Sequence, residues 1–254
     1  MAEQSVIDAV DANGFAILDD VIDGATVARC RAALTRAAEH SEEIGVSTRM
    51  EALDPGGRNV RVYDLIEHDE AFVELIGHEV IVDYCRALLA EDFVISNFTA
   101  NTALPGSQSM NPHCDQSTVM PEPWTERLCF NAIWCLHDVD EENGATRYLP
   151  GSHHFGRFDE VPDNPEENML SFEAKAGSVI LMDGRLWHTS GANTSSDRHR
   201  AMLFAFYARS FIRLQNNWWR TLSRETRSTL SPQMKNWLGL DMGNIEYGTY
   251  LAEH

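Results

Sequence analysis

The sequence has no long apolar run and no surplus of basic residues. No stretch approaches the roughly 18 consecutive apolar residues that a membrane-spanning helix needs. Lysine and arginine number 20 against 39 aspartates and glutamates, which gives a formal net charge of −19. Nucleic acids and anionic membranes attract surfaces rich in lysine and arginine. We therefore expect neither a nucleic-acid partner nor a membrane partner.

Paired cysteines and an N-terminal signal segment are also missing. The five cysteines are an odd number and form no Cys-x-x-Cys pair, so they are predicted to be free thiols. The chain starts Met-Ala-Glu-Gln, without the basic and apolar regions of a secretory signal. Both features predict a cytoplasmic location, and the sequence leaves the oligomeric state open.

Of the 254 residues, 43% are hydrophobic and 23% are charged, which is an ordinary globular composition. No repeat and no linker divides the chain, so residues 1–254 are predicted to form one domain. Its β core is expected at about 93–210, with helical flanks on both sides. Short β-rich segments separated by turn signals predict a closed or double-layered β structure. Residues 128–136 are almost wholly apolar, so they predict a strand buried on both faces.

Two short motifs near the ends of the β region carry metal-ligand chemistry. His113 and Asp115 are two residues apart, so on an extended chain they point to the same side. His188 follows a predicted strand and the turn at Asp183-Gly184. Two histidines and one carboxylate match the facial triad of non-haem iron(II) oxygenases, which leaves three coordination positions open. From these residues alone, the alternative that both histidines are packed core residues stays open.

Arg200 adds a third element to this pattern. It opens the last predicted strand and shares the parity of Met202 and Phe204, so we expect it to point inward with them. A buried arginine needs an anionic partner, and a carboxylate of 2-oxoglutarate is a suitable one. Arg198 has the same parity and remains an alternative, although its polar neighbours favour a loop.

These motifs resemble those of the phytanoyl-CoA dioxygenase family of Fe(II)/2-oxoglutarate-dependent oxygenases, over almost the whole chain. The resemblance is carried by GFAILD at 14–19, FTA at 98–100, HCDQ at 113–116, DVDEENGATRYLPGSH at 138–153 and HTSGAN at 188–193. It implies a mainly β fold with flanking helices around a double-stranded β-helix, the jelly-roll core shared with cupins.

The resemblance also implies roles for individual residues. The iron ligands and catalytic residues would be His113, Asp115 and His188. The residues that bind or line the site of 2-oxoglutarate would be Arg200, Thr146, Trp134 and Ser190, with Arg200 on the distal carboxylate. In much of the family the arginine follows the second histidine by eleven residues, where this chain has His199. Assigning the role to Arg200 therefore requires one extra loop residue.

The implied activity is that of a dioxygenase that uses Fe(II), 2-oxoglutarate and dioxygen. It would oxidise, by default hydroxylate, a C–H bond of a small organic substrate such as a natural-product intermediate. No basic cluster marks a site for the phosphates of coenzyme A, which favours a secondary metabolite or another small apolar molecule. Two alternatives stay open: a non-catalytic jelly-roll protein that binds small molecules, and a cupin-type metalloenzyme that does not use 2-oxoglutarate.

Overall fold

The computed structural model describes residues 1–241, and the end of the predicted C-terminal flank, 242–254, lies outside the described residues. The N-terminal part contains helices α1 (Gln4–Asn13), α2 (Gly24–Glu43), α3 (Leu65–His68), α4 (Glu70–Ile76) and α5 (Glu79–Leu88), with strands β1 (Phe15–Leu18) and β2 (Asn59–Val62) between them. After residue 209 come three short helices, α6 (Trp218–Thr221), α7 (Arg224–Thr229) and α8 (Pro232–Trp237). Within residues 1–241, no helix is both long and apolar enough to cross a membrane.

The β core supplies seven further strands to two antiparallel sheets. They are β3 (Phe93–Ala103), β4 (Cys129–Cys135), β5 (Thr146–Tyr148), β6 (Leu170–Ser171), β7 (Val179–Asp183), β8 (His188–Ser190) and β9 (Arg200–Arg209). The large sheet has the order β1-β7-β4-β9-β3-β2, and the small sheet has the order β6-β5-β8. In the part of the chain that is described, the two sheets do not join into a closed barrel. The predicted jelly-roll class is confirmed in its double-layered form.

The large sheet separates two hydrophobic layers. Its outer face packs against the helices through residues such as Phe130, Trp134 and Leu203. Its inner face packs towards the small sheet through Ile133 and Met202, among others. Because side chains alternate along each strand, the residue two positions from an inner residue is also inner. Strand β4 lies in the middle of this sheet and is buried at every position, which explains its almost wholly apolar sequence.

Strand β2 (Asn59–Val62) forms an edge of the large sheet, although it lies outside the β core that the sequence predicts at about 93–210. In β2 the polar residues Asn59 and Arg61 alternate with Val60 and Val62. Asn59 and Val62 are buried, so the strand hides polar groups on its inner face. The usual interpretation of such an alternation puts the apolar residues in the core and the polar residues in water, so the burial of Asn59 could not be predicted from the sequence.

A bulge in β3 anchors the segment that follows β9. The pairing of β3 with β9 shifts register between Ile95 and Asn97, a two-against-one arrangement that leaves backbone groups free for other partners. The hydroxyl of Ser96 accepts a hydrogen bond from the backbone N–H of Gln215 at 2.8 Å. The indole N–H of Trp218 donates to the backbone oxygen of Ile95 at 2.8 Å. These contacts hold Gln215 beside the inner face of the sheet.

Candidate metal centre and adjoining cavity

The two predicted histidine ligands lie next to each other because their backbones pair directly. The N–H of His113 donates to the carbonyl of His188 at 2.9 Å, and the N–H of His188 donates to the carbonyl of His113 at 2.8 Å. Residues paired in this way across an antiparallel bridge project to the same face. The imidazole centroids are 4.4 Å apart. The long segment between β3 and β4 thus brings His113 onto the edge of β8.

Asp115 completes the cluster. Its two carboxylate oxygens lie 4.0 Å from the Nε2 atoms of His113 and His188 respectively. One ligand atom from each of the three residues lies within 4.8 Å of the others. The chain passes Cys114 to the opposite side, where its thiol is buried in a separate apolar cluster. The predicted alternation of His113 and Asp115 onto one side is therefore present in the structure.

Backbone carbonyls orient both imidazoles. The Nδ1 of His188 lies 2.9 Å from the carbonyl of Leu186, and the Nδ1 of His113 lies 3.1 Å from the carbonyl of Asn111. A carbonyl only accepts, so each Nδ1 carries the proton and each Nε2 lone pair faces the cluster. Burial, followed by the effect of the neighbouring His113, lowers the pKa of His188 to about 4. His188 is therefore neutral at physiological pH, the form that binds a metal.

Asn131 fixes the carboxylate of Asp115. This asparagine lies on β4, and its Nδ2 donates to the Oδ2 of Asp115 at 2.6 Å. An ionised carboxylate only accepts hydrogen bonds, so the amide must present its NH₂ group to it. The contact restricts the rotation of Asp115 and keeps its carboxylate directed at the two imidazoles. Nothing in the spacing of the sequence points to Asn131, because the contact spans sixteen residues of irregular chain.

A cavity of about 150 Å³ opens beside the three clustered residues. The large sheet forms one wall, with Asn97, Thr99 and Asn101 on β3 beside Phe204 and Phe206 on the neighbouring strand β9. The remaining lining residues are Arg61, Met110, His113, Asp115, Asn131, Thr146, His188, Ser190 and Gln215. The sequence motifs identified five of these residues. The alternation of polar residues at 97, 99 and 101 is the one local signal that could have indicated the polar wall.

Thr146 and Ser190 meet where the small sheet lines this cavity. They are paired opposite each other in the register of β5 and β8, and both are buried. The hydroxyl of Ser190 accepts from the backbone N–H of Met110 at 3.1 Å, so its own proton stays available to another acceptor. Both residues therefore line the cavity that the three clustered residues adjoin.

Arg200 is fully buried, with 0% exposure, at the start of β9. Its Nε, Nη1 and Nη2 atoms have no hydrogen-bond partner among the described residues. Burial, and to a lesser degree the neighbouring cation of Arg61, lowers the pKa of Arg200 to about 10. The guanidinium therefore stays charged at neutral pH. A buried charge without a partner is costly, so this arrangement is typical of a site for an anion.

The alternative arginine lies elsewhere. Arg198 forms ion pairs with Asp140 at 2.5 Å and Glu142 at 3.3 Å, and its side chain is 37% exposed. His199, at the position where much of the family has the arginine, is exposed. The register of β9 points Arg200 inward beside Met202, as the parity of the sequence predicts.

Trp134 does not lie where the resemblance suggests. It is on β4 with Asn131, but three positions along, so it projects from the opposite face of the sheet. The indole packs against His78 with ring centroids 5.5 Å apart, in the layer between sheet and helices. Trp134 is absent from the residues that line the cavity, because Asn131, Ile133 and Cys135 hold the inner positions of this strand.

Comparison with known proteins identifies the family to which the chain is similar. The model of the phytanoyl-CoA dioxygenase family matches residues 10–201. "Dioxygenase af480" of Aspergillus fumigatus is 43% identical over 216 residues, which is 84% of this chain and 70% of that protein. "Dioxygenase hkm4" of Aspergillus hancockii is 31% identical over 150 residues, 56% of this chain and 48% of that protein.

Solved structures agree on the fold. The non-heme alpha ketoglutarate dependent epimerase SnoN from nogalamycin biosynthesis superposes with a TM-score of 0.67 at 21% identity, covering 82% of this chain and 83% of SnoN. HygX from Streptomyces hygroscopicus, solved with nickel and 2-oxoglutarate, gives a TM-score of 0.68 at 16% identity, covering 85% of this chain and 91% of HygX. At these identities the likeness shows the fold alone. The family match and the 43% identical relative show more: the protein belongs to the phytanoyl-CoA dioxygenase family and is an enzyme of the dioxygenase class.

Proposed function

We propose that the protein uses Fe(II) and 2-oxoglutarate to oxidise, by default hydroxylate, a C–H bond of a small organic substrate. One observation carries this proposal. The cluster of His113, Asp115 and His188 lies on the wall of a cavity. An unpartnered, fully buried Arg200 lies on the inner face of β9, the strand whose Phe204 and Phe206 line the same cavity. A metal site with an anion site nearby suits a ligand that chelates a metal ion and also carries two negative charges.

The donor set fits iron(II). Two neutral imidazoles and one carboxylate from the three clustered residues occupy one face of a six-coordinate ion and leave three positions for other ligands. Thiolates would select other metals, and the nearby Cys114 faces away from the cluster. The carbonyl contacts to both Nδ1 atoms are the outer-shell support that metal-binding histidines usually have.

The surroundings of Arg200 fit the distal carboxylate of 2-oxoglutarate. A guanidinium binds a carboxylate through two parallel hydrogen bonds. The hydroxyls of Thr146 and Ser190 line the cavity and can donate to an anionic ligand. HygX was solved with nickel and 2-oxoglutarate, and SnoN with Fe3+ and alpha ketoglutarate. These related folds support 2-oxoglutarate as the co-substrate.

When bound together, iron(II), 2-oxoglutarate and dioxygen supply the oxidising chemistry that attacks an unactivated C–H bond. The chain itself binds the metal and the co-substrate, orients the substrate and excludes water. His113, Asp115 and His188 hold the metal at the cavity wall. Arg200 orients the co-substrate from its distal end. Phe204 and Phe206 provide an apolar surface on which a substrate can be held in one orientation beside the metal.

The cavity suits a substrate with one polar edge and one apolar face. Asn97, Thr99 and Asn101 present hydrogen-bonding groups in a row along β3, opposite Phe204 and Phe206 on β9. At the mouth, Nδ2 of Asn97 donates to Oε1 of Gln215 at 3.3 Å. A purely apolar molecule would leave the Oδ1 of Asn101, which has no hydrogen-bond partner among the described residues, unsatisfied. We therefore propose a functionalised small molecule, which refines the expectation of an apolar substrate.

An anaerobic titration tests the proposed function. The Fe(II)-loaded protein is titrated with 2-oxoglutarate and followed by its weak visible charge-transfer band, with metal-free protein as the control. We expect saturable binding that requires the metal. A non-catalytic binding protein would take neither ligand, and a cupin-type metalloenzyme would bind iron without 2-oxoglutarate. Either result would exclude the proposal. Screening small molecules for stimulated conversion of 2-oxoglutarate to succinate in air then identifies the substrate.

Replacing Asn131 by leucine is expected to weaken metal binding. The substitution keeps the size of the side chain but removes the donor that holds Asp115, and losing such a support typically costs about 10–100-fold in metal affinity or activity. Titration with Mn(II) or Fe(II) measures the effect. Asn97→Leu is the matched control, because Asn97 lies on the inner face at the cavity mouth without contacting Asp115. Equal metal affinity in both variants would contradict the positioning role of Asn131.

Trp134→Phe is expected to lower stability without affecting ligand binding. The indole is fully buried against the helical layer, so the smaller ring should reduce the free energy of unfolding by about 0.5–3 kcal/mol. Because Trp134 lies on the outer face, the Kd for 2-oxoglutarate should stay at the wild-type value. Thermal unfolding and the anaerobic titration measure the two quantities. A raised Kd in a fully folded variant would return Trp134 to the co-substrate site.

A further inference from the structure

Three residues form a transverse row across the large sheet. Asn59 on β2 pairs with Ala103 on β3, and Ala103 pairs with Arg200 on β9. Directly opposed residues of antiparallel strands project to the same face. The adjacent row, Arg61, Asn101 and Met202, lines the cavity or packs in the inner layer. Asn59 and Arg200 therefore both point to the inner face, towards the end of the cavity at which β9 begins.

Both ends of this row are buried and unsatisfied. Asn59 is 1% exposed and Arg200 is 0% exposed. The Nδ2 and Oδ1 of Asn59 lack hydrogen-bond partners within residues 1–241, as do the three nitrogens of Arg200. Buried polar side chains in native proteins almost always have partners. Two such residues in one row, with five unsatisfied atoms between them, indicate a shared polar ligand.

The residue between them leaves space for that ligand. Adjacent strands are about 4.8 Å apart, so the Cα atoms of Asn59 and Arg200 are separated by roughly twice that distance. Ala103 projects only a methyl group into the interval. A carboxylate placed between an amide and a guanidinium at this spacing could accept hydrogen bonds from both.

The charges near Asn59 and Arg200 favour an anionic ligand between these two residues. Arg61, in the adjacent row, lines the cavity, and its guanidinium pairs with Asp54, including a contact of 2.9 Å from Nη2 to Oδ1. Asp54 is fully buried and matches this charge. Arg200 is thus the cation of this region without an acidic partner in the described chain. One carboxylate group would balance it.

We propose that the side-chain amide of Asn59 is a second binding group, beside Arg200, for the distal carboxylate of 2-oxoglutarate. The inference rests on the proposed use of 2-oxoglutarate. A carboxylate can accept about four hydrogen bonds, and the fork of an arginine uses two of them. The Nδ2 of Asn59 supplies a further donor. Arg200 has five N–H donors, which leaves donors for the amide oxygen as well.

Asn59→Leu and Asn59→Ala test this assignment in the metal-loaded full chain. Removing a hydrogen bond to a charged group should raise the Kd for 2-oxoglutarate about 10- to 100-fold. The affinity for Mn(II) alone should not change. The decisive ligand is 2-oxovalerate, which keeps the 2-oxo acid end and carries a methyl group in place of the distal carboxylate. Its Kd should be the same for wild type and variants.

Asn59→Asp and Val62→Ala complete the test. The aspartate puts a carboxylate opposite Arg200, so it should abolish 2-oxoglutarate binding and spare 2-oxovalerate. Val62 is buried on the outer face of the same strand, so Val62→Ala should lower stability and leave both Kd values unchanged. Wild-type affinity for 2-oxoglutarate in Asn59→Ala, or equal losses for the two ligands, would overturn the role of Asn59. If wild type binds no 2-oxoglutarate, the proposed function itself fails, which is a separate result.

Discussion

Replacing His188 by alanine is expected to abolish substrate oxidation and to reduce the affinity for Fe(II) by more than the roughly 10–100-fold typical of an outer-shell change. The residue supplies one of three ligand atoms, and it is buried with its Nε2 directed at the cluster. No other histidine, cysteine or acidic side chain of residues 1–241 lies close enough to the remaining two ligands to replace it. Competition for Fe(II) with a coloured chelator measures the loss.

His199→Ala is the matched control for this experiment. It removes an exposed imidazole that lies outside the cluster, so its metal affinity should equal that of wild type. His113→Ala should behave like His188→Ala, because the two imidazoles are paired through their backbones and share Asp115. Full metal affinity in either cluster variant would remove that histidine from the site and, with it, the assignment of the facial triad.

Arg200→Ala is expected to raise the Kd and the apparent KM for 2-oxoglutarate far more than it affects metal binding. Breaking a buried, hydrogen-bonded charge pair costs roughly 2–5 kcal/mol, which corresponds to about 30-fold to several thousandfold in affinity. Arg198→Ala is the matched control. Its guanidinium pairs with Asp140 and Glu142 near the surface, and such pairs contribute about 0–1 kcal/mol. The opposite ranking of the two variants would assign the carboxylate to Arg198.

A stability measurement separates a binding role of Arg200 from a structural one. Without 2-oxoglutarate, the buried guanidinium has no partner in the described chain, so it costs desolvation energy that nothing offsets. Arg200→Met keeps most of the side-chain volume and removes the charge. We expect this variant, free of ligand, to unfold at the same temperature as wild type or higher. A large loss of stability would indicate that Arg200 holds the fold together.

The fold and the metal cluster follow from local features of the chain. The apolar run of β4 predicted a strand buried on both faces, and the structure buries all of it. Asp23 caps α2 by accepting from the N–H of Thr26 at 2.8 Å, and aspartate is among the residues preferred at this position. The two-residue spacing of His113 and Asp115 was enough to place both side chains on one side. The parity of β9 was enough to bury Arg200.

The sequence by itself therefore determined which residues are the candidates for metal and anion binding, because ligand type and strand parity are local properties. Only the tertiary structure decided which residues face one another. In the structure Trp134 lies in the helical layer, and Asn131 donates a hydrogen bond to Asp115. Asn59 lies in the same transverse row as Arg200. These relations depend on which face of a strand is covered and on the register between strands distant in sequence. A shift of one residue in register reverses the face of every side chain, so alternation along one strand cannot supply them.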